Sequence, residues 1–200
     1  MRVIAGRFKG FQLPAAKTGT RPTTDRTKEA IFSHLDSWGV IDDARVLDLY
    51  AGTGALGIEA LSRGARELVA VEMAGPAATA LNGTLASLRR AKAWESGMAA
   101  HLVRGKAEAF VNGYRGGANA ADGDAAPGFD LIFIDPPYAM TTEDCDALLA
   151  GIAANGVAAD DAIIMVERST RSAAVSAPEG WEITQSRAYG ETSVSYIERA

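Results

Sequence analysis

Two short segments of this 200-residue chain combine residue types that can hold a ligand and act on it. The first is Asp48-Leu49-Tyr50-Ala51-Gly52-Thr53-Gly54-Ala55-Leu56-Gly57, where an apolar strand-like run hands over to a helix-like one. Gly52 and Gly54 let the backbone approach a ligand closely, because a side chain at either position would block it. Together with Gly57 they also satisfy the G-x-G-x-x-G spacing of dinucleotide-binding loops. Glu72, 20 residues after Gly52, meets the matching requirement for an acid facing a ribose. Such an acid accepts hydrogen bonds from ribose hydroxyls whether the cofactor is NAD or S-adenosylmethionine. The spacing therefore implies an adenosine-type cofactor without choosing between them. Asp48, four residues before Gly52, tips the choice. A carboxylate there suits a cofactor with a cationic amino-acid tail and would repel a pyrophosphate, so S-adenosylmethionine is the expected cofactor.

The second segment, Asp135-Pro136-Pro137-Tyr138, follows the apolar run Phe129–Asp135, which reads as a buried parallel strand. It should then lie at the carboxyl end of the sheet, where open α/β sheets bind their ligands. Two prolines fix the backbone and remove two N–H donors. The groups left facing a ligand are acceptors: the Asp135 carboxylate and the Pro136 carbonyl. A base amino group is a poor nucleophile because its lone pair is delocalised into the ring. Two acceptors aimed at its N–H bonds can orient the nitrogen and stabilise the charge it develops. Tyr138 can stack on the face of an extruded base. Cys145, by contrast, lies among acids that disfavour a thiolate and reads as an ordinary helix residue. The two histidines, His34 and His101, have no Cys or His nearby, so no metal site is expected.

These segments need a frame to position them. Arg2–Ala5 and Phe8–Leu13 read as a small β-hairpin, Pro14–Thr24 as a loop, and a helix begins near Thr24 or Asp25. Ile31, Leu35 and Trp38 give that helix one apolar face, and Gly39 ends it. From Arg45 strands and helices alternate. The strands are Val46–Tyr50, Leu68–Glu72, His101–Arg104, Phe129–Asp135 and Ala162–Glu167. Helices are expected over Ala55–Arg63, from Pro76, and over Glu143–Ala154. Nearly continuous apolar strands between helices imply a parallel sheet covered on both faces. Trp181–Tyr189 and Thr192–Arg199, joined around Gly190-Glu191, imply an antiparallel hairpin at its end. The stretch Asn112–Gly128, rich in Gly, Ala and Asp, reads as a surface loop. The organisation expected is a basic hairpin and loop over residues 1–24, then one compact unit over 25–200, with the hairpin outside the strand–helix core.

Composition is that of a globular protein, with 48% hydrophobic and 22% charged residues. No apolar run approaches the roughly 18 residues of a membrane helix, and the N-terminus is too polar for a secretory signal. A single cysteine cannot form an internal disulfide, so the cytoplasm is the expected compartment. The net charge of −5 is unevenly spread. Residues 1–28 carry seven basic side chains against Asp25, a balance of +6, and the remainder carries −11. A basic arm on an acidic body is a phosphate-binding footprint. Arg2, Arg7, Lys9, Lys17 and Arg26 are its candidate RNA contacts.

Taken together, these residues resemble the bacterial 16S ribosomal RNA guanine-N2 methyltransferases of the RsmD type. The resemblance spans nearly the whole chain. It rests on Met1-Arg2-Val3-Ile4-Ala5-Gly6, Arg21-Pro22-Thr23-Thr24-Asp25-Arg26, Lys28–Phe32, Asp48–Gly57, Asp135–Tyr138 and Tyr189-Gly190-Glu191-Thr192. It implies a Rossmann-like α/β fold with a seven-stranded sheet, S-adenosylmethionine as cofactor, and methyl transfer to the N2 amine of one guanine. The implied substrate is 16S rRNA in a small-subunit or assembly-intermediate context, and the implied state is a monomer. The resemblance places the cofactor against Asp48, Gly52, Thr53, Gly54, Glu72 and Met73, with Glu72 at the ribose. The loop holding Arg21 and Thr23 would close over the methionine end. Such proteins often present an acid or amide to the adenine after the third strand. This chain has Gly105-Lys106-Ala107, so the backbone around Lys106 and Ala107 is the expected reader.

Other readings remain on the residues alone. A DNA amino-methyltransferase usually needs a separate recognition region, for which 200 residues leave no room. A protein-glutamine methyltransferase uses a similar Asn-Pro-Pro-Tyr, but the basic N-terminus argues against it. An NAD-dependent oxidoreductase lacks a Tyr-x-x-x-Lys pair here. A non-catalytic RNA-binding module would not need the acceptors at Asp135.

Overall fold

A computed structural model of the chain describes residues 1–14, 25–115 and 127–200. The elements run α1 (Asp25–Trp38), β1 (Arg45–Leu49), α2 (Ala55–Arg63), β2 (Glu67–Glu72), α3 (Gly75–Leu88), β3 (Ala99–Arg104), α4 (Ala107–Gly113), β4 (Phe129–Ile134), α5 (Thr142–Ala154), β5 (Ala158–Ser169), β6 (Trp181–Tyr189) and β7 (Thr192–Arg199). The seven strands form one sheet in the order β3-β2-β1-β4-β5-β7-β6. The β1–β2, β1–β4, β2–β3 and β4–β5 pairs are parallel. β7 pairs antiparallel with both β5 and β6. This is the doubly covered α/β sheet with a terminal hairpin that the strand pattern implied.

Each face of the sheet carries its own core. Residues of α1, α2 and α3 pack with Val46, Leu68, Phe133 and Met165 on one face. On the other, α4 and α5 pack with Leu47, Leu49, Ile132 and Ile134. All five residues of β1 are buried, as expected of a central parallel strand. Among the described residues no helix is long and apolar enough to cross a membrane.

Several boundaries differ from those expected. β3 begins at Ala99 and β5 runs from Ala158 to Ser169, both longer than their apolar stretches because hydrogen bonding extends past the hydrophobic residues. Helix α4 was not expected. It is only seven residues long, and Ala107 and Val111 alone are buried. Asn112 and Gly113, expected to begin a loop, close this helix, and residues 116–126 of that loop lie outside the described part. In α1 Phe32 joins Ile31 and Leu35 in the core, whereas Trp38 remains 36% exposed.

The N-terminal hairpin is reduced to one bridge, Arg2 with Gln12, flanked by Val3 N–H to Phe11 C=O (2.9 Å) and Leu13 N–H to Met1 C=O (3.0 Å). It does not stand outside the core, as its position before the first helix had suggested. Val3, Phe8 and Leu13 are buried with the α1–α3 residues. The segment is knitted to α2: the Ile4 and Ala5 amides donate to Glu59 (2.8 and 3.0 Å), and the Phe8 amide donates to Ser62 Oγ (2.9 Å). Gly6, at φ 76°, makes this approach possible, since a Cβ there would sit 1.8 Å from the Ser62 carbonyl oxygen. The reason is ordinary burial: three apolar side chains at Val3, Phe8 and Leu13 join the core on the α1–α3 side, and the backbone polar groups then need partners.

Candidate active site

The parallel strands β1, β4 and β5 end together around a cleft of about 770 Å³. Its floor holds Asp48, Asp135 and Glu167. One wall is the glycine loop after β1, another the Pro136–Tyr138 loop after β4, and a third the β6–β7 turn at Tyr189–Thr192. The start of α1 contributes Arg26, Thr27 and Ala30.

The glycine loop curls sharply because Tyr50 (φ 61°), Gly52 (φ 56°) and Gly54 (φ 84°) all have left-handed backbone. A Cβ on Gly52 would meet nothing nearer than the Tyr50 carbonyl oxygen at 4.0 Å, so the space beside this backbone is open to a ligand. The loop is pinned from both ends. Glu72 accepts from the Gly52 amide (2.7 Å) and the Ala74 amide (2.5 Å). Asp48 accepts from the Gly57 amide in the first turn of α2 (2.9 Å). A carboxylate has about four lone-pair sites, so Glu72 keeps capacity for hydroxyls after serving the loop.

Electrostatics set this cleft apart. Burial pushes the Asp48 carboxyl up to about 7, the Gly57 hydrogen bond opposes the rise, and Glu72 adds to it. Burial likewise holds Asp135 well above the usual carboxylate range, and the charges of Glu167 and then Asp48 raise it further. Acids crowded into one cleft favour a cationic ligand, which relieves their mutual repulsion. The donor set therefore fits S-adenosylmethionine, with its sulfonium and ammonium charges, better than a pyrophosphate.

The loop after β4 is held by its neighbours. The Met140 amide donates to the Pro137 carbonyl (2.9 Å), and Arg168 Nη2 from β5 donates to the Met140 carbonyl (2.9 Å). Pro136 is buried, and Tyr138 is 65% exposed at the cleft rim, free to meet a flat partner. Thr141 then caps α5 by accepting from the Asp144 amide (3.1 Å). Cys145 on that helix is fully buried, and burial pushes its thiol up to about 11, which suits packing and not attack.

The expected site residues distribute unevenly. Asp48, Gly52, Thr53, Asp135, Pro136 and Tyr138 line the cleft, and Gly54 continues the same loop. Glu72 adjoins through its bond to Gly52, while Met73 (66% exposed) lies beyond it. Lys106 is the N-cap of α4 and Ala107 its buried first residue, next to the Gly105 amide that donates to the Glu72 carbonyl (3.2 Å). Of the basic residues, Arg26 lines the cleft and Lys9 is exposed. Arg2 lies 3.9 Å from Asp25, and Arg7 is paired with Glu95 at 2.7 Å. Lys17, Arg21 and Thr23 lie outside the described residues. Glu167 was not anticipated, because in sequence it looks like the polar end of a strand. Its signal was available only in register: it is one step past Val166, which pairs with Ile134, as Asp135 is one step past Ile134.

A seven-stranded sheet of this order, with a glycine loop after its first strand and an acid closing its second, defines the Rossmann-like methyltransferase class. The Escherichia coli protein yhhF shares the fold with a TM-score of 0.78 and 31% identity, covering 100% of this chain and 97% of that one. HI0767 of Haemophilus influenzae gives a TM-score of 0.74 and 27% identity over 99% and 97% of the two chains. The chain belongs to the RsmD family, whose model, described as "Conserved hypothetical protein 95", matches residues 1–198. It is 32% identical over 201 residues to the ribosomal RNA small subunit methyltransferase D of Escherichia coli, covering 100% of this chain and 90% of that protein. It is 34% identical over 200 residues to Bacillus subtilis YlbH, covering 100% and 99%.

Proposed function

We propose that this chain transfers the methyl group of S-adenosylmethionine to the exocyclic N2 amine of a guanine in 16S ribosomal RNA. It would act as a cytoplasmic monomer on small-subunit RNA or an assembly intermediate. The observation that carries this reading is the convergence, in one acidic cleft, of the open glycine loop and the Asp135–Pro136 acceptor pair. S-adenosylmethionine supplies an electrophilic methyl carbon when bound; Asp48 and the glycine loop would hold its cationic tail, and Glu72 its ribose.

The rest is done by the chain's own residues. Asp135 and the Pro136 carbonyl accept from the two N–H bonds of the amine and turn its lone pair toward the methyl group. As the new C–N bond forms and the methyl–sulfur bond breaks, with S-adenosylhomocysteine as the leaving product, charge develops on nitrogen beside a preorganised carboxylate. A methylated amine must then lose a proton. Asp135, held above its ordinary range by burial, is a better proton acceptor than an exposed carboxylate. Tyr138, exposed at the rim, provides a face on which an extruded base stacks. Arg26 at the cleft edge and Lys9 on the arm face the phosphate backbone.

The test is nucleoside mass spectrometry of 16S rRNA from a strain lacking the protein, before and after incubation with the purified chain and labelled S-adenosylmethionine. The expected result is labelled N2-methylguanosine at one position. Label in another base, in protein, or in nothing at all would overturn the reading.

A further inference from the structure

Glu167 has no task in the chemistry above, yet it lies in the same cleft. It is 8% exposed and lines the floor beside Asp135. The register fixes their relation. Phe133 pairs with Met165 and Ile134 with Val166, so Asp135 and Glu167 are the next residues along neighbouring parallel strands. Such strands lie about 4.8 Å apart, and laterally paired residues project to the same face. Phe133 and Met165, two residues earlier, both enter the core on the α1–α3 side, which sets the face. The Glu167 charge also raises the Asp135 carboxyl more than the Asp48 charge does, after burial itself. On its other flank Glu167 pairs with Val194 of β7, an apolar and fully buried neighbour.

A second carboxylate beside the amine acceptor discriminates among bases by simple donor–acceptor arithmetic. Guanine presents two adjacent donors on its pairing edge, N1–H and the N2 amine. Adenine and cytosine each present an amine next to a ring nitrogen that carries a lone pair. With Asp135 holding the amine, a neighbouring carboxylate accepts from guanine N1–H but faces a lone pair in the other two. A buried acceptor left facing a lone pair is strongly unfavourable.

We propose that Glu167 is a specificity-determining residue that selects guanine by accepting a hydrogen bond from its N1–H while Asp135 holds the N2 amine. This rests on the guanine-N2 reading above and adds the group that enforces it.

The experiment uses the full chain and an RNA joined from synthetic pieces, with guanine or 2-aminopurine at the methylated position. 2-Aminopurine keeps the amine but has a lone pair at N1. Wild-type protein is expected to favour guanine by at least about 100-fold in kcat/KM. Glu167→Gln, whose amide can donate to that lone pair, is expected to shrink the preference by about tenfold or more, with S-adenosylmethionine affinity unchanged. Wild-type protein that methylates both substrates alike overturns the proposal without need of any variant. So does a Glu167→Gln protein that binds cofactor normally but slows on both substrates by the same factor, the signature of a merely structural group. Label found on adenine or cytosine of the guanine RNA would instead sink the guanine-N2 reading itself, and this assignment with it.

Discussion

Glu59→Leu should destabilise the protein more than any surface substitution, because Glu59 ties the N-terminal arm, α1 and α2 together. Its carboxylate and the Lys28 ammonium are both 0% exposed and 3.1 Å apart. Glu59 also accepts from the Ile4 and Ala5 amides and from Arg63 Nε (2.9 Å). Removing it leaves the buried Lys28 with the Arg2 carbonyl at 2.7 Å, and strips two arm amides of their acceptor. Breaking a buried ion pair from one side costs about 3–5 kcal/mol. For a domain of this size that corresponds to a fall in Tm of roughly 6–20 °C. Urea unfolding followed by circular dichroism gives the free energy, and calorimetry the Tm. The pair Lys28→Met with Glu59→Leu should recover about 2 kcal/mol, since the stranded ammonium is gone and apolar volume replaces it. A single-variant loss below about 1 kcal/mol, or a double variant no better than the single, would refute the reasoning.

Asp135→Ala should lower kcat by about 10²–10³ with little change in cofactor affinity, read by steady-state kinetics and calorimetry. Asp48 titrates near 7 because burial favours its neutral form, and a cationic cofactor binds the ionised form. Cofactor Kd should therefore weaken about tenfold per pH unit below 7 and level off above, a dependence that Asp48→Asn removes. By the same sign, the ligand-free protein gains stability as pH falls from 7 toward 4, by up to about 4 kcal/mol from Asp48 alone. Glu72→Ala should weaken cofactor binding by about 1–3 kcal/mol in calorimetry, losing both a ribose acceptor and the staple on the Gly52 amide. Deleting residues 1–13 should lower Tm and cofactor binding along with RNA methylation; a stable truncated protein with normal cofactor affinity would contradict the packing of Val3, Phe8 and Leu13.

The alternation of strands and helices, and the two chemical segments at strand ends, could be read directly because each is local. Apolar runs of five or six residues specify buried parallel strands, and Gly52, Gly54 and the Pro136-Pro137 pair announce their own backbone geometry. Glu167 and α4 could not be read that way. Glu167 gains its meaning from lying across from Asp135, a relation set by strand register between residues 32 apart. Helix α4 buries only two side chains, so its sequence lacks the apolar repeat that betrays a helix. The arm misled for a related reason. Its basic residues advertise a surface element, while the three side chains that bury it, Val3, Phe8 and Leu13, follow no regular spacing, and the amides meeting Glu59 and Ser62 leave no side-chain pattern.

That burial changes what the charge asymmetry means. The seven basic residues of the first 28 are not one solvated footprint. Lys28 is buried against Glu59, Arg7 is paired with Glu95, and Arg2 sits near Asp25. Two of the six net charges, Lys28 and Arg7, are thus cancelled by Glu59 and Glu95 of the body, and the Arg2–Asp25 neighbours are already netted within the +6. Among the described basic residues of the segment, Lys9 is exposed on the arm's turn and Arg26 lines the cleft, and these two are the proposed phosphate contacts. Lys28 and Arg26 stand two residues apart on α1, so the ion pair that ties this helix to α2 holds the same helical turn that carries Arg26 to the cleft. A substitution at Glu59 should therefore reach RNA methylation even where enough folded protein remains, raising KM for RNA more than for the cofactor.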